Sequence, residues 1–349
     1  PWYALAATYL ANEIIIETNT IKMANLATTY LNLSLKNPLI VSSSGLTDSA
    51  EKIEKLAEAG AGAVVLKSLF EEQINHEAGH LSSFENSNYP EAQDYISNYA
   101  KSNSLDHYLN LIEQAKKAVE IPVIASINCV SAKEWISFAK QIESAGADAL
   151  ELNLFFVPNE LNTKPSVYEE LYLNLIRSVN EQVNIPVSVK IGYQFTNLPY
   201  LVNQMYYTGA KGVVLFNKFY EPDIDLEKMK FKSSEVFSKP SDLSRPLRWT
   251  GIVSSLVNEI DIAASTGVHS GEAMAKMILA GATAVQLSSA IYKDGPSVIG
   301  DFLSVLNEFM NKKNYKTIED FKGLMNYRRI DDPAIYERSQ FMKYFSNLS

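Results

Sequence analysis

The sequence predicts a single (β/α)8 barrel, and three observations carry that prediction. Short apolar runs alternate with longer amphipathic ones from residue 38 onward, the βαβα order of a parallel sheet. Eight such runs are present, at 38–43, 63–67, 122–127, 149–154, 186–191, 212–216, 260–265 and 284–287. Four of them are entered through one recurring pattern, AEAGAGAVVLKS, ESAGADALELN, YTGAKGVVLFN and LAGATAVQLSS. Gly60, Gly146, Gly209 and Gly281 stand in it where a helix ends in left-handed backbone, which a residue without Cβ adopts at no steric cost.

Taken in order, residues 1–22 (PWYALAATYLANEIIIETNTIK) precede Met23 and lack the basic segment of a secretory signal. They are expected to be a non-native or upstream extension, with the barrel over 23–315. Asp48, Ser131 and Ser270 occupy helix N-cap positions, with Glu51, Glu134 and Glu272 in the turns that follow. In the stretch after Ser131, Ala132, Trp135, Ile136, Phe138, Ala139 and Ile142 recur at helical spacing, so Trp135 is expected to pack against the barrel. Long insertions interrupt the rhythm at 70–102, after the second strand, and 220–255, after the sixth. Excursions on that side of a barrel serve as substrate loops or covers. Residues 298–311 read as the eighth outer helix, and 316–349 as a helical C-terminal appendage packed on the barrel, with an oligomer contact as one use for it.

The 349 residues are 46% hydrophobic, enough for a full core, and α/β barrels of more than 250 residues remain one domain. A net charge of −9 without a basic run argues against nucleic-acid binding. The single cysteine, Cys129, excludes an intrachain disulfide and Cys-rich zinc or iron–sulfur sites, and no metal ligand set is expected. No apolar run reaches the ~20 residues of a membrane helix, so a cytoplasmic protein with no membrane association is expected.

The chemistry is expected at the C-terminal ends of the strands. The run at 260–265 ends in Ser265, Thr266 and Gly267, and that at 284–287 in Ser288 and Ser289. Neighbouring strands seven and eight ending this way present N–H groups and hydroxyls, the usual phosphate site of such barrels. Lys67 closes VVLKS and Lys190 closes VSVKIG. Two lysines at strand ends would suit an electron-rich ring such as a reduced flavin; the plainer alternative is two surface lysines with apolar stems. Asn128, Asn153 and Asn217 close strands three, four and six, and amides suit a planar ring with alternating donors and acceptors.

NPLIVSSSG, AGAVVLKS, ADALELN, IPVSVKIG, GVVLFN and STGVHSGEAMAKMILAGATAVQLSSA together resemble the FMN-dependent dihydroorotate dehydrogenases. RPLRWTGIVSS and DDPAIYERSQFMKYF mark similarity to a cytosolic dihydroorotate dehydrogenase-like subgroup. The resemblance implies FMN as cofactor and hydride transfer between flavin N5 and a dihydropyrimidine-type ring, dihydroorotate to orotate in pyrimidine biosynthesis. It implies that Ser43, Ser44 and Gly45 approach the flavin ring, and that Lys67, Ser68 and Lys190 contact it. Asn128 would join that cofactor set. Asn153 would lie near flavin and substrate, with Asn159 and Asn217 orienting substrate. Thr266, Gly267, Val268, Ser288 and Ser289 would hold the phosphate. A soluble electron acceptor or partner protein and a homodimer are implied as well.

The chain departs from the family where a proton is taken. The family's N-L-S-C-P-N loop, with Cys or Ser as base, here reads Asn153-Leu154-Phe155-Phe156-Val157-Pro158-Asn159. The family's substrate-binding Asn after strand two has only Asn86 and Asn88 nearby, and its Gly-Gly-x-Ser-Gly segment is replaced by Leu247-Arg248-Trp249-Thr250-Gly251. Cys129, following strand three, is the candidate substitute base, against the plainer role of a small buried hydrophobe. His76, His80 and Tyr89 are further candidates, with surface positions as their plainer reading. Two other functions therefore stand beside dihydroorotate oxidation: a flavin reductase acting on another ring or an enone, and a non-catalytic FMN-binding subunit.

Overall fold

A computed structural model describes residues 24–70, 90–128, 132–218, 222–233 and 235–337. Its centre is a closed barrel of eight parallel strands: β1 Leu39–Val41, β2 Ala63–Val65, β3 Val123–Asn128, β4 Ala149–Asn153, β5 Val187–Ile191, β6 Gly212–Leu215, β7 Asp261–Ser265 and β8 Ala284–Leu287. Each strand pairs with the next in the chain, and β8 pairs with β1, which closes the ring. Every expected run coincides with one strand, mostly shorter than its apolar run, with β3 reaching one residue further to Asn128. Pairing outlasts β1 at both ends: the Val285 N–H donates to the Pro38 carbonyl at 2.8 Å and the Ser42 N–H to Leu287 at 3.0 Å.

The outer helices are α1 Ala50–Glu58, α2 Pro90–Ala118, α3 Ala132–Ser144, α4 Pro165–Asn180, α5 Leu198–Tyr207, α6 Ser244–Leu256, α7 Gly271–Ala280 and α8 Val298–Lys312. Gly60, Gly146, Gly209 and Gly281 have φ of 110°, 94°, 109° and 114°, the left-handed geometry their pattern required. Ser270 caps α7 as expected, its hydroxyl accepting from the Ala273 N–H. Asp48 does not cap α1; Ser49 does, accepting from the Lys52 N–H, while Asp48 ends a 3-10 turn and pairs with Lys52 at 2.7 Å. Ser131 lies outside the described residues.

Both insertions are smaller than the sequence suggested. Helix α2 begins at Pro90, so 90–102 belongs to an outer helix, and 71–89 lie outside the described residues. Within 220–255, an antiparallel hairpin (Pro222–Asp225 with Lys230–Ser233), a 3-10 turn (Pro240–Leu243) and α6 are folded. Helix α6 escapes a periodicity reading because Thr250, Gly251 and Ser255 share its buried face with Pro246 and Val253. Residues 317–337 are largely turns, with a 3-10 turn at Ile318–Asp320 and a four-residue helix at Ala334–Glu337.

The barrel floor is filled by an N-terminal hairpin, Thr28–Tyr30 with Leu33–Leu35. Its two turn residues, Leu31 and Asn32, have φ of 54° and 61°, as the tightest hairpin turn demands. Leu31 is an unusual residue for that geometry, but it is fully buried and its N–H donates to Asp261 Oδ2 at 2.8 Å. Tyr30, Leu31 and Leu35 form one cluster with Ile40, Val65, Ile124, Ala149, Val214, Ala263 and Ala284, one side chain or more from most strands. The opposite parity, including Leu39, Val41, Val64 and Leu150, packs outward against the helices.

Strand β2 ends early, and Leu69–Phe70 takes up the pairing further along β3. In the gap Tyr108 of α2 stands in for a strand: its hydroxyl donates to the Ser126 carbonyl at 2.9 Å and accepts from the Ser126 N–H at 2.7 Å. Burial pushes this phenol well above its ordinary range, so it stays protonated and able to donate.

Trp135 is 1% exposed and packs in the outer core, as its spacing predicted. Trp135→Ala is expected to cost about 3–5 kcal/mol, the range for large aromatic truncation, as read from urea unfolding. Among the described residues no helix is long and apolar enough to cross a membrane.

Candidate functional site

Above the apolar floor the inward positions turn polar. Glu151 on β4, Lys190 on β5 and Gln286 on β8 are 1%, 6% and 0% exposed. Strands β4 and β5 face β8 and β1 across the ring, so hydrogen bonds between them must cross the barrel interior. Lys190 Nζ donates to Ser42 Oγ at 3.0 Å and to Gln286 Oε1 at 3.3 Å. Gln286 Nε2 donates to Glu151 Oε2 at 2.6 Å, which fixes the amide's orientation. The second carboxylate oxygen lies 3.8 Å from Lys190 Nζ and has no hydrogen-bond partner among the described residues. The result is one buried ion pair bridged by one amide. Below it, burial and then the negative Glu151 raise the Tyr30 phenol well above its ordinary range.

Lys190 forms part of a cleft whose other walls are the ends of β7 and β8. Ser265, Thr266, Gly267 and Val268 line one side, Leu287, Ser288 and Ser289 another, with Lys218 and Ser238 nearby. Thr266 and Gly267 have φ of 79° and 82°, and the Thr266 hydroxyl donates to the Phe216 carbonyl at 3.1 Å. A non-glycine residue held in left-handed backbone is a feature that clusters at binding sites. Gly267 admits no side chain, since a Cβ would stand 2.2 Å from the Leu243 backbone nitrogen. The 3-10 turn therefore seals the cleft from one side. A cation and several hydroxyls over a small hollow form a donor set suited to a phosphate ester.

Behind the cleft, Ser238 is 4% exposed; its N–H donates to Ser289 Oγ at 3.1 Å, and its hydroxyl lies 2.9 Å from His269 Nε2. Burial, then Lys293, lowers the His269 pKa below its ordinary 6.5. The unfolded chain then binds more protons below pH 6.5. Stability is full above that value and is lost as pH falls towards the folded pKa. His269→Gln is expected to flatten the decline of Tm between about pH 6.5 and 5.

Of the other expected residues, Ser43 and Ser68 form a hydroxyl chain with Ser126, which the sequence had not singled out, with Oγ separations of 3.0 and 2.7 Å. Asn217 Nδ2 donates to Asn153 Oδ1 at 2.9 Å, joining the ends of β4 and β6. Asn128 is half-buried at the end of β3. Ser44 is occupied in capping the turn at Gly45–Thr47, and a Cβ on Gly45 would meet the Tyr292 hydroxyl at 2.9 Å. Lys67 and Asn159 are exposed, so the two lysines differ sharply in setting. Cys129, His76, His80, Tyr89, Asn86 and Asn88 lie outside the described residues.

Ser42, Glu151, Gln286, Ser238 and His269 belong to this site without having been picked from the sequence. Glu151 and Gln286 had left a signal, as polar residues flanked by apolar ones inside ALELN and AVQL. Among the described residues no group of three His, Cys, Asp or Glu side chains could hold a metal.

The sequence pattern of the dihydroorotate dehydrogenase family matches residues 25–310. The chain belongs to that family. It is 26% identical over 313 residues to the dihydroorotate dehydrogenase B (NAD(+)) catalytic subunit of Thermoplasma acidophilum, covering 86% of this chain and 99% of the relative. It is 27% identical over 319 residues to dihydroorotate dehydrogenase A (fumarate) of Lactococcus lactis, covering 85% and 98%. The Methanosarcina mazei B-type catalytic subunit is 28% identical over 324 residues, covering 87% and 96%.

Proposed function

We propose that this chain is an FMN-dependent oxidoreductase acting on a CH–CH bond of a dihydropyrimidine-type ring, dihydroorotate to orotate, in pyrimidine biosynthesis. The observation that carries it is Lys190, a buried cation beside a hydroxyl-lined cleft on the axis of a barrel of this family. A bound flavin would supply the hydride acceptor at N5. Thr266, Gly267, Val268, Ser288 and Ser289 hold the phosphate in this reading, and Ser43, Ser44, Gly45, Lys67, Ser68 and Asn128 flank the ring. Lys190 would stabilise negative charge on its pyrimidine end. The bonded amides Asn153 and Asn217, with Asn159, orient the substrate ring. Cys129 takes the substrate proton in place of the loop residue that Phe155 and Phe156 displace. Electrons leave to a soluble acceptor or a partner protein, and the working unit is a homodimer in the cytoplasm.

Purified protein tests this directly. Flavin absorbance near 450 nm should be present or restored with FMN, and anaerobic dihydroorotate should bleach it. A preparation that stays colourless with FMN overturns the reading. Cys129→Ala should retain FMN and lose bleaching by dihydroorotate; unchanged kinetics would remove the thiol from the mechanism.

Phe155 and Phe156 favour a second reading, a flavin reductase that protonates another ring or an enone from solvent or a tyrosine. Flavin that is reoxidised by an enone but ignores dihydroorotate would select it. A protein that binds FMN and turns over neither would be the non-catalytic subunit.

A further inference from the structure

The loop after β4 that lacks the base forms the wall of a separate cavity. It lies between that loop, the start of α4 and the loop after β5, with a volume of about 340 Å3. None of the residues assigned above to cofactor or substrate lines it. Its walls are aromatic: Phe156 and Tyr172 meet edge to face at 5.2 Å between centroids, and Tyr172 meets Phe195 the same way at 5.5 Å. The Tyr172 hydroxyl accepts from the Phe156 N–H at 3.3 Å, which fixes the loop against the helix. Tyr168 and Phe155 complete the aromatic lining.

Two features select the occupant. Among the described residues the charged ones lining the cavity are carboxylates, Glu160 and Glu169, which repel an anion. Apolar side chains along this wall also reach solvent: Phe155 of the lining is 38% exposed, and its neighbours Val157, Leu161 and Val167 are 57%, 98% and 50% exposed. Perpendicular aromatic walls accept a flat ring by stacking and edge contacts, and their faces tolerate positive charge. The volume lies at the lower end of small-molecule sites.

We propose that this cavity is a second ligand site, for a flat aromatic molecule without negative charge. It would exclude the anionic ring expected at the rim, so the two sites sort their ligands by charge. The proposal stands whether or not the chain oxidises dihydroorotate.

Three probes sharing one ring test it by calorimetry on the full chain: 2-naphthol (neutral), naphthalene-2-sulfonate (anionic) and 2-naphthylmethylammonium (cationic). The neutral and cationic probes should bind one per chain, at least tenfold tighter than the sulfonate. Phe195→Ala should weaken them at least tenfold. Glu169→Lys, at a half-exposed helix position, should leave the fold intact and narrow or reverse the preference against the sulfonate. Saturating FMN should leave all three affinities unchanged. Absence of binding, equal binding of the sulfonate to the unaltered protein, or competition by FMN would each overturn the proposal.

Discussion

Lys190→Met should lower the unfolding free energy by about 3–5 kcal/mol, the cost of breaking a buried ion pair from one side. The lysine is the ion-pair partner of Glu151 at 3.8 Å, and the carboxylate is 1% exposed, with one oxygen lacking a hydrogen bond among the described residues. Removing the ammonium strands a buried negative charge beside Tyr30, Ser188 and the Gln286 amide. The diagnostic comparison is the double variant Lys190→Met, Glu151→Leu, which removes both charges. Urea unfolding should show it recovering part of the loss, because neither charge then needs a partner while the buried Gln286 amide loses its bonds to both. A single variant as stable as the parent would mean that Glu151 does not depend on this partner.

Gly267→Ala should act on the cleft itself. Its added Cβ would stand 2.2 Å from the Leu243 nitrogen and 2.6 Å from the Leu243 Cα, both backbone atoms of the sealing turn. The residue also sits at φ 82°, which costs an alanine about 1–3 kcal/mol if the backbone is to stay put. Either the turn at Pro240–Leu243 moves or the cleft does. FMN binding should weaken at least ~10-fold, equivalent to about 1.4 kcal/mol, while urea unfolding of the flavin-free protein should change by no more than a few kcal/mol. FMN affinity equal to that of the parent would place the phosphate elsewhere.

The fold was legible because barrel strands and their helix exits obey short-range rules. Each apolar run had to be a buried parallel strand, and Gly60, Gly146, Gly209 and Gly281 could be read one residue at a time. What could not be read were contacts made at a distance. Tyr108 substitutes for a strand edge because β2 stops short, a fact visible only when the strands are placed side by side. Leu31 looks unfit for its turn until Asp261 and the barrel floor are seen around it. Asp48 and Ser49 are both good caps, and the adjacent 3-10 turn decides between them. At the site, the hydroxyl-lined cleft was written in consecutive small residues. The Glu151–Gln286–Lys190 network joins positions 135 and 96 residues apart in sequence. Its members were recoverable one by one as polar residues in apolar strands, but not as a network.

The hairpin that plugs the barrel also sets the order in which the chain can finish folding. Tyr30 and Leu31 are made among the first described residues, yet Leu31 is tied to Asp261, 230 positions later. Ala24 likewise donates its N–H to Asn307, 283 positions on. During synthesis the hairpin therefore emerges with nothing to plug. Its apolar cluster is complete only when β7 and β8 add Ala263 and Ala284, and such long-range closure is slow. This early-made segment is among the last to be secured, so a chain cut short before β8 would leave its hydrophobic floor open to aggregation.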